Sequence, residues 1–213
     1  MAEFSSLLQG ALVTALVSGA AIALGVPLGL LLALVRWQRV PLLSPAVALY
    51  VSIIRATPAI TLALLIFFAL PALGLDIGPV AAAVLTLLLN TSAFNCEIWR
   101  AALVDFSNDQ LEAARAFGMS PWLVFRRIIF PQVWRISLPP LVNEMTLLIK
   151  ASPAIAVIGV VDLTRAADRI GAETFQPLPP MIVATVMYMI LVLTFVGLQR
   201  FTEHRLQQKF DLV

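Results

Sequence analysis

The chain has 213 residues, 61% of them hydrophobic and 12% charged, with a formal net charge of +2 and a mean hydropathy of +0.96. Soluble chains run nearer half apolar with about a quarter charged, so this composition implies a polytopic α-helical membrane protein. One cysteine, Cys96, and one histidine, His204, exclude an intrachain disulfide framework, a metal cluster and histidine-based triad chemistry, and the basic residues do not cluster as a nucleic-acid footprint would.

Residues 7–35 carry no charge and form the first expected span, ended by Arg36 and Arg39. No basic n-region precedes this run, which is too long for an h-region, so it reads as a retained span and not a signal peptide. Gly19, Gly25 and Gly29 suit close helix contact within it. Residues 41–56 read as a slanting or interfacial helical lead-in, continuing into span two at about 57–72. Pro71 to Pro79 is a loop with Gly74, Asp76 and Gly78, and span three covers roughly 80–99. A polar connection fills 100–131. Span four is roughly 137–161, with Pro139 and Pro140 near its start and Pro153 inside it, where the missing N–H would free the Ile149 carbonyl. Residues 162–177 are polar, and span five is about 179–199. Trp99, Trp122 and Trp134 fit an interfacial belt.

Lys and Arg placement orients these spans. Arg36, Arg39, Arg100, Arg115, Arg126, Arg127, Arg135, Arg200, Arg205 and Lys209 fall on one side; Arg165 and Arg169, balanced by acids, fall on the other. Five spans then put the N-terminus outside and the C-terminus in the cytoplasm. The whole chain, 1–213, is a single transmembrane domain, and the 105–131 segment is cytoplasmic.

That segment has the grammar of two short helices. Ser107 with Gln110 three residues on forms a capping-box pattern, and Glu112 lies in the first turn, where the helix dipole favours an acid. Gly118 suits the residue just past a helix, Ser120 an N-cap, and Pro121 the first position of a second helix that Pro131 is expected to stop. The small side chains of Ala113, Ala114 and Gly118 keep the first helix slim enough to enter a groove on a partner.

The pattern resembles the coupling signature of permease subunits of binding-protein-dependent ABC importers. Glu112, Ala113, Ala114, Gly118, Ile128 and Pro131 fit its spacing, and Phe130 stands where it has Leu. The resemblance extends along the chain to the polar-amino-acid permeases: Gly10 to Thr14, Arg55-Ala56-Thr57-Pro58, Asn90 through Arg100, Leu138-Pro139-Pro140 with Asn143-Glu144, Leu148-Ile149-Lys150, and Val157 to Arg165. It departs at Ala151 and Pro153, where many members read Lys-Asp-Thr-Ser-Leu. The resemblance implies an all-α inner-membrane permease, multi-pass and bacterial, whose coupling residues are Glu112, Ala113, Ala114, Arg115, Phe117, Gly118, Met119 and Ser120. It implies a second permease chain, identical or paralogous, two ATPase subunits that hold the ATP and Mg, a periplasmic or lipid-tethered solute-binding protein, and an amino-acid substrate. The chain itself has no Gly-x-x-x-x-Gly-Lys-Ser/Thr phosphate loop and is not expected to be an enzyme or to carry a cofactor.

Intramembrane polar groups mark the expected substrate path. Asn90, Phe94 and Glu97 fall at i, i+4 and i+7 on span three with Thr91 adjacent; Asn143, Glu144 and Lys150 lie on span four. Glu97 or Glu144 would accept from a substrate ammonium, and Lys150, Asn90 or freed backbone near Pro153 would donate to its carboxylate. The bland alternatives stay open: Glu97 pairs with Arg100, and Glu144 and Lys150 neutralise each other or charges of other subunits. The alternative function is an ion-coupled carrier or channel subunit without an ATPase, which leaves the Glu-Ala-Ala segment without a task.

Overall fold

Glycine in the first helix sets the spacing of the bundle. In the computed structural model, which describes residues 2–210, the first apolar run forms α1, Ala2–Trp37, and lies along α4, Pro79–Val104. A Cβ at Gly25 would stand 2.1 Å from the Thr91 methyl, and one at Gly29 would stand 2.7 Å from Asn95 Cβ and 3.0 Å from the Cys96 nitrogen and the Ser92 carbonyl. The two backbones approach because neither residue has a side chain, the mode by which small residues drive helix association where lipid offers no hydrophobic force. Gly19 is not part of this seam, since a Cβ there meets nothing within 4 Å among the described residues. The side chains of Asn108, His204, Arg205 and Lys209 lie outside the described residues.

Trp99 is a correction to the interfacial belt. It is 1% exposed, donates its indole N–H to the Val26 carbonyl at 3.3 Å and stacks on Trp134 at 5.6 Å. Its position on the α1-facing side of α4 makes it core.

The lead-in and span two are two helices, α2 (Leu43–Ala56) and α3 (Ala59–Ala72), bent by 113° instead of running on. Thr57 and Pro58 are extended, with ψ of 125° and 140°. The proline ring disfavours helical geometry at the residue before it, so the break falls there. Tyr50 ties α2 to α4: its hydroxyl donates to the Leu89 carbonyl at 3.0 Å and shares a 2.7 Å hydrogen bond with Ser92 Oγ. Pro71 does not begin the loop but sits in the last turn of α3.

Pro131 does not stop its helix. After a short helix α5, Asn108–Ala116, an uninterrupted helical run extends from Pro121 to Ile158. It comprises α6 (Pro121–Val124), one π-turn (Phe125–Ile129), α7 (Phe130–Ala151) and a 3₁₀ turn (Ser152–Ile158). In the wide turn the Phe130 N–H reaches back to the Phe125 carbonyl, five residues away. Pro131 then falls in the opening turn of the renewed α-segment, where a missing N–H is tolerated. Pro153 frees no carbonyl at Ile149, because the Ser152 N–H and the Ser152 hydroxyl (2.8 Å) both donate to it.

The polar stretch after this run folds as α8, Leu163–Thr174, before α9, Leu178–Phe210. Asp162 caps α8 by accepting from the Arg165 N–H at 2.9 Å and accepts from the Tyr188 hydroxyl of α9 at 3.1 Å. Burial pushes its carboxyl up, and these donors pull it back. The Leu163 N–H donates to Thr14 Oγ1 at 3.1 Å, and a Cβ at Gly10 would stand 2.9 Å from the Asp162 carbonyl, so glycine permits the close approach of α1 there. Among the described residues four helical segments are long and apolar enough to cross a membrane, and the bent α2–α3 pair makes a fifth when read as one broken span.

Gly29→Ala is expected to destabilise the protein by about 1–3 kcal/mol through overpacking against α4, whereas Gly19→Ala is expected to be neutral or to stabilise by up to about 1 kcal/mol through helix propensity. Unfolding of the two variants in detergent, followed side by side, checks this ordering.

Candidate functional site: a helical hairpin and an intramembrane charge cluster

The turn between α5 and α6 is a full Schellman closure. Gly118 takes φ +71°, its N–H donates to the Arg115 carbonyl at 2.9 Å, and the Met119 N–H donates to the Ala114 carbonyl at 3.1 Å. These bonds use the carbonyls that a helix end leaves unpaired. The hairpin opens at Ser107, but its side chain makes no capping bond. The capping box fails because the Gln110 amide is committed elsewhere: its carbonyl accepts from Gln132 at 2.8 Å. Across the turn, Ser120 does cap α6, accepting from the Leu123 N–H at 3.4 Å.

Ala114 is the buried residue of α5, and Leu111 and Met119 pack against the main core beside it. Glu112, Ala113, Arg115, Phe117 and Ser120 are exposed, Phe117 to 87%, with Trp122 and Leu123 continuing the surface. A ladder of rings runs from this surface across the π-turn. Trp122 lies on Phe125 at 6.1 Å, Phe125 on Phe130 at 5.9 Å, Phe130 on Trp134 at 6.2 Å, and Trp134 on Trp99. Trp122, Phe125, Phe130 and Trp134 are spaced three to five residues apart, which places them on one face of the run.

Within the membrane segments the expected path residues separate. Asn90 and Phe94 share a half-buried face of α4. Thr91 faces α1, fully buried against Gly25, and accepts from the Asn95 amide at 3.0 Å. Glu97 is clamped: Arg36 of α1 donates to Oε1, while Arg100 donates Nε (2.9 Å) and Nη2 (2.8 Å) to Oε2. Asn143 and Lys150 are exposed on α7, whereas Glu144 is 8% exposed. Arg55, at the α2–α3 bend, was not among the expected path residues. Its guanidinium lies over the Phe94 ring, 5.2 Å from the centroid, and its charge acts on Glu144. The signal was present in the sequence, since Arg55 is an arginine between apolar runs directly before the Thr57-Pro58 break. Cys96 is buried against α1 and makes no disulfide.

The fold is a membrane-spanning helical bundle with a short helical hairpin set at the start of one span. The chain belongs to the family described as binding-protein-dependent transport system inner membrane component, which matches residues 25–208. It is 34% identical to the glutamine transport system permease protein GlnP of Escherichia coli (strain K12), over 94% of this chain and 93% of that one. It is likewise 34% identical to the probable amino-acid ABC transporter permease protein YckA of Bacillus subtilis (strain 168), over 87% and 82%, and 33% identical to that organism's arginine transport system permease protein ArtQ, over 90% and 89%. A crystal structure of an amino acid ABC transporter with histidines superposes with a TM-score of 0.86 at 34% identity, covering 95% of this chain and 94% of that one. The inward-facing MetNI methionine ABC transporter, at 21% identity and a TM-score of 0.72 over 95% of each chain, shares the fold.

Gly118→Val is expected to loosen the hairpin, because a β-branched residue in the left-handed region costs about 1–2 kcal/mol while nothing else crowds the position. Hydrogen exchange over residues 108–124 should quicken in Gly118→Val and change little in Gly118→Asn, since asparagine tolerates that region.

Proposed function

We propose that this chain is the transmembrane subunit of an ATP-driven importer for a polar amino acid. The observation that carries the reading is the family match over residues 25–208. The amino-acid substrate is inferred from the relatives, which are named for glutamine, arginine and amino-acid transport. In this reading two permease chains pair, identical or paralogous, with the N-terminus outside and the hairpin in the cytoplasm. Two ATPase subunits bind ATP and Mg and carry out hydrolysis. A periplasmic or lipid-tethered binding protein delivers the solute.

The hairpin is the docking element. Phe117, Trp122 and Leu123 offer an apolar surface and Glu112 and Arg115 a charged rim, the composition of an interface centre and its edge. Motion of the ATPase passes into α7 because no loop intervenes between Pro121 and Ile158. α7 carries Glu144, so the same motion shifts Glu144 against Arg55 at the α2–α3 bend. A zwitterion needs an acceptor for its ammonium and a donor for its carboxylate; Glu144 offers the first and Arg55, over the Phe94 ring, the second. Thr91 and Glu97 are engaged in packing and ion pairing. Asn143 and Lys150, exposed on α7, are available to the second permease chain or to the path between the two. The ion-coupled carrier has no observation in its favour.

The test is reconstitution of the chain with its ATPase and binding protein in vesicles. Uptake of a polar amino acid is expected to require ATP, and Phe117→Asp, a change at an exposed site, to weaken ATPase association about tenfold or more, as loss of an aromatic anchor does, with uptake falling alongside. Accumulation driven by an ion gradient without ATP contradicts the importer reading; unchanged association and uptake in Phe117→Asp contradict the docking role.

A further inference from the structure

A second charged site lies where α1 and α4 end together. A cleft of about 410 Å³ is lined by Arg36, Trp37, Arg39, Arg100 and Val104. No acid lines it; Asp105, the next residue after Val104, is not part of the wall. The nearby carboxylate, Glu97, has both oxygens occupied, one by Arg36 and the other by Arg100. Three guanidinium charges therefore meet one carboxylate, and the cleft keeps a net charge of +2. Arg39 is outside the ion pairs found among the described residues, and it is exposed, with φ +51° turning it off the end of α1.

The surroundings identify the kind of anion. α1 and α4 are membrane spans, so their shared end lies at the edge of the hydrocarbon. Trp37 is half-buried in the wall, the position an amphipathic ring takes at headgroup level. Val104, also in the wall, is exposed, and the connection that follows Arg39 exposes Leu42 and Leu43. Such a rim suits an anion that carries acyl chains better than a hydrated one. Basic pockets between spans hold lipid headgroups by this combination of charge and depth.

We propose that this cleft binds the phosphate of an anionic phospholipid, with Arg36 and Arg100 forming its floor and Arg39 closing over it while Leu42 and Leu43 enter the interface alongside. Arginine suits the task because its planar fork donates two parallel hydrogen bonds to phosphate oxygens. The bound lipid would hold the ends of α1 and α4 while the neighbouring hairpin moves. The proposal rests on the membrane reading of α1 and α4, not on the transported solute.

The experiment uses the full chain in nanodiscs of phosphatidylcholine alone or of phosphatidylcholine doped with phosphatidylglycerol, with retained lipid counted by native mass spectrometry and the thermal midpoint recorded. The wild type is expected to retain phosphatidylglycerol over phosphatidylcholine. Arg39→Gln should lower that retention about fivefold, the loss of one interfacial arginine, while Arg39→Lys keeps most of it. Arg169→Gln, an exposed arginine on α8, should change nothing. Equal retention in wild type and Arg39→Gln overturns the site, and so does an equal loss in Arg169→Gln. If inorganic phosphate added to phosphatidylcholine nanodiscs raises the wild-type midpoint as far as phosphatidylglycerol does, and fails to in Arg39→Gln, the ligand is free phosphate and the lipid assignment is wrong. If Arg39→Gln retains its lipid but loses the ATPase, the cleft faces a protein partner and the proposal fails.

Discussion

The close contact of α1 with α4 is the constraint on which the other positions depend. Gly25 and Gly29 bring the two backbones together, and that approach seats three side chains of α4 at once. Trp99 reaches the Val26 carbonyl, Glu97 reaches Arg36, and Asn95 turns inward to Thr91. With α4 fixed against α1, Tyr50 ties α2 to it and the Trp99–Trp134 stack ties α7 to it. A side chain at Gly29 would separate the helices, and each of these partners would lose its register.

From that frame comes a rigid lever. The hairpin turn at Gly118 is closed by two backbone hydrogen bonds, and the chain is helical from Pro121 to Ile158. The π-turn at Phe125–Ile129 is where such a run is most open to bending, and the aromatic ladder bridges that turn on one face. Stacked or tilted ring pairs add roughly 0.5–1.5 kcal/mol each beyond burial, so the ladder resists hinging at that point. The hairpin and Glu144 thus belong to one body, while Arg55 belongs to another, at the end of α2.

Much of this was legible in the sequence because membrane spans are written in long uncharged runs. Spans one and three emerged within about five residues of α1 and α4, and span five starts with α9, whose helix runs on past it to Phe210. The hairpin was legible because Gly118, Ser120 and Pro121 each have one strong local preference. What failed was any rule that local chemistry alone does not decide. Pro131 reads as a stop, but the π-turn at Phe125–Ile129 places it in the opening turn of α7, where its missing N–H is tolerated. Ser107 and Gln110 match a capping box, but Gln132 claims the amide from across the structure. The 113° bend at Thr57–Pro58 could be placed but not measured from the sequence, since proline fixes where the helix breaks and the packing of Val47, Val51 and Ile54 fixes its angle. Glu97 and Arg36 are 61 residues apart, and no local pattern pairs them.

The central claim, that hairpin and span move as one body, is tested most directly by a spin-label distance between Leu123 and Leu147, both exposed on the continuous helix. The separation is roughly 36 Å at 1.5 Å per residue. In the reconstituted complex with its ATPase, measured without nucleotide and with trapped ATP, the account predicts one narrow distance that is the same in both states. A distance that shifts or broadens on ATP binding would show that the π-turn bends, and would contradict it.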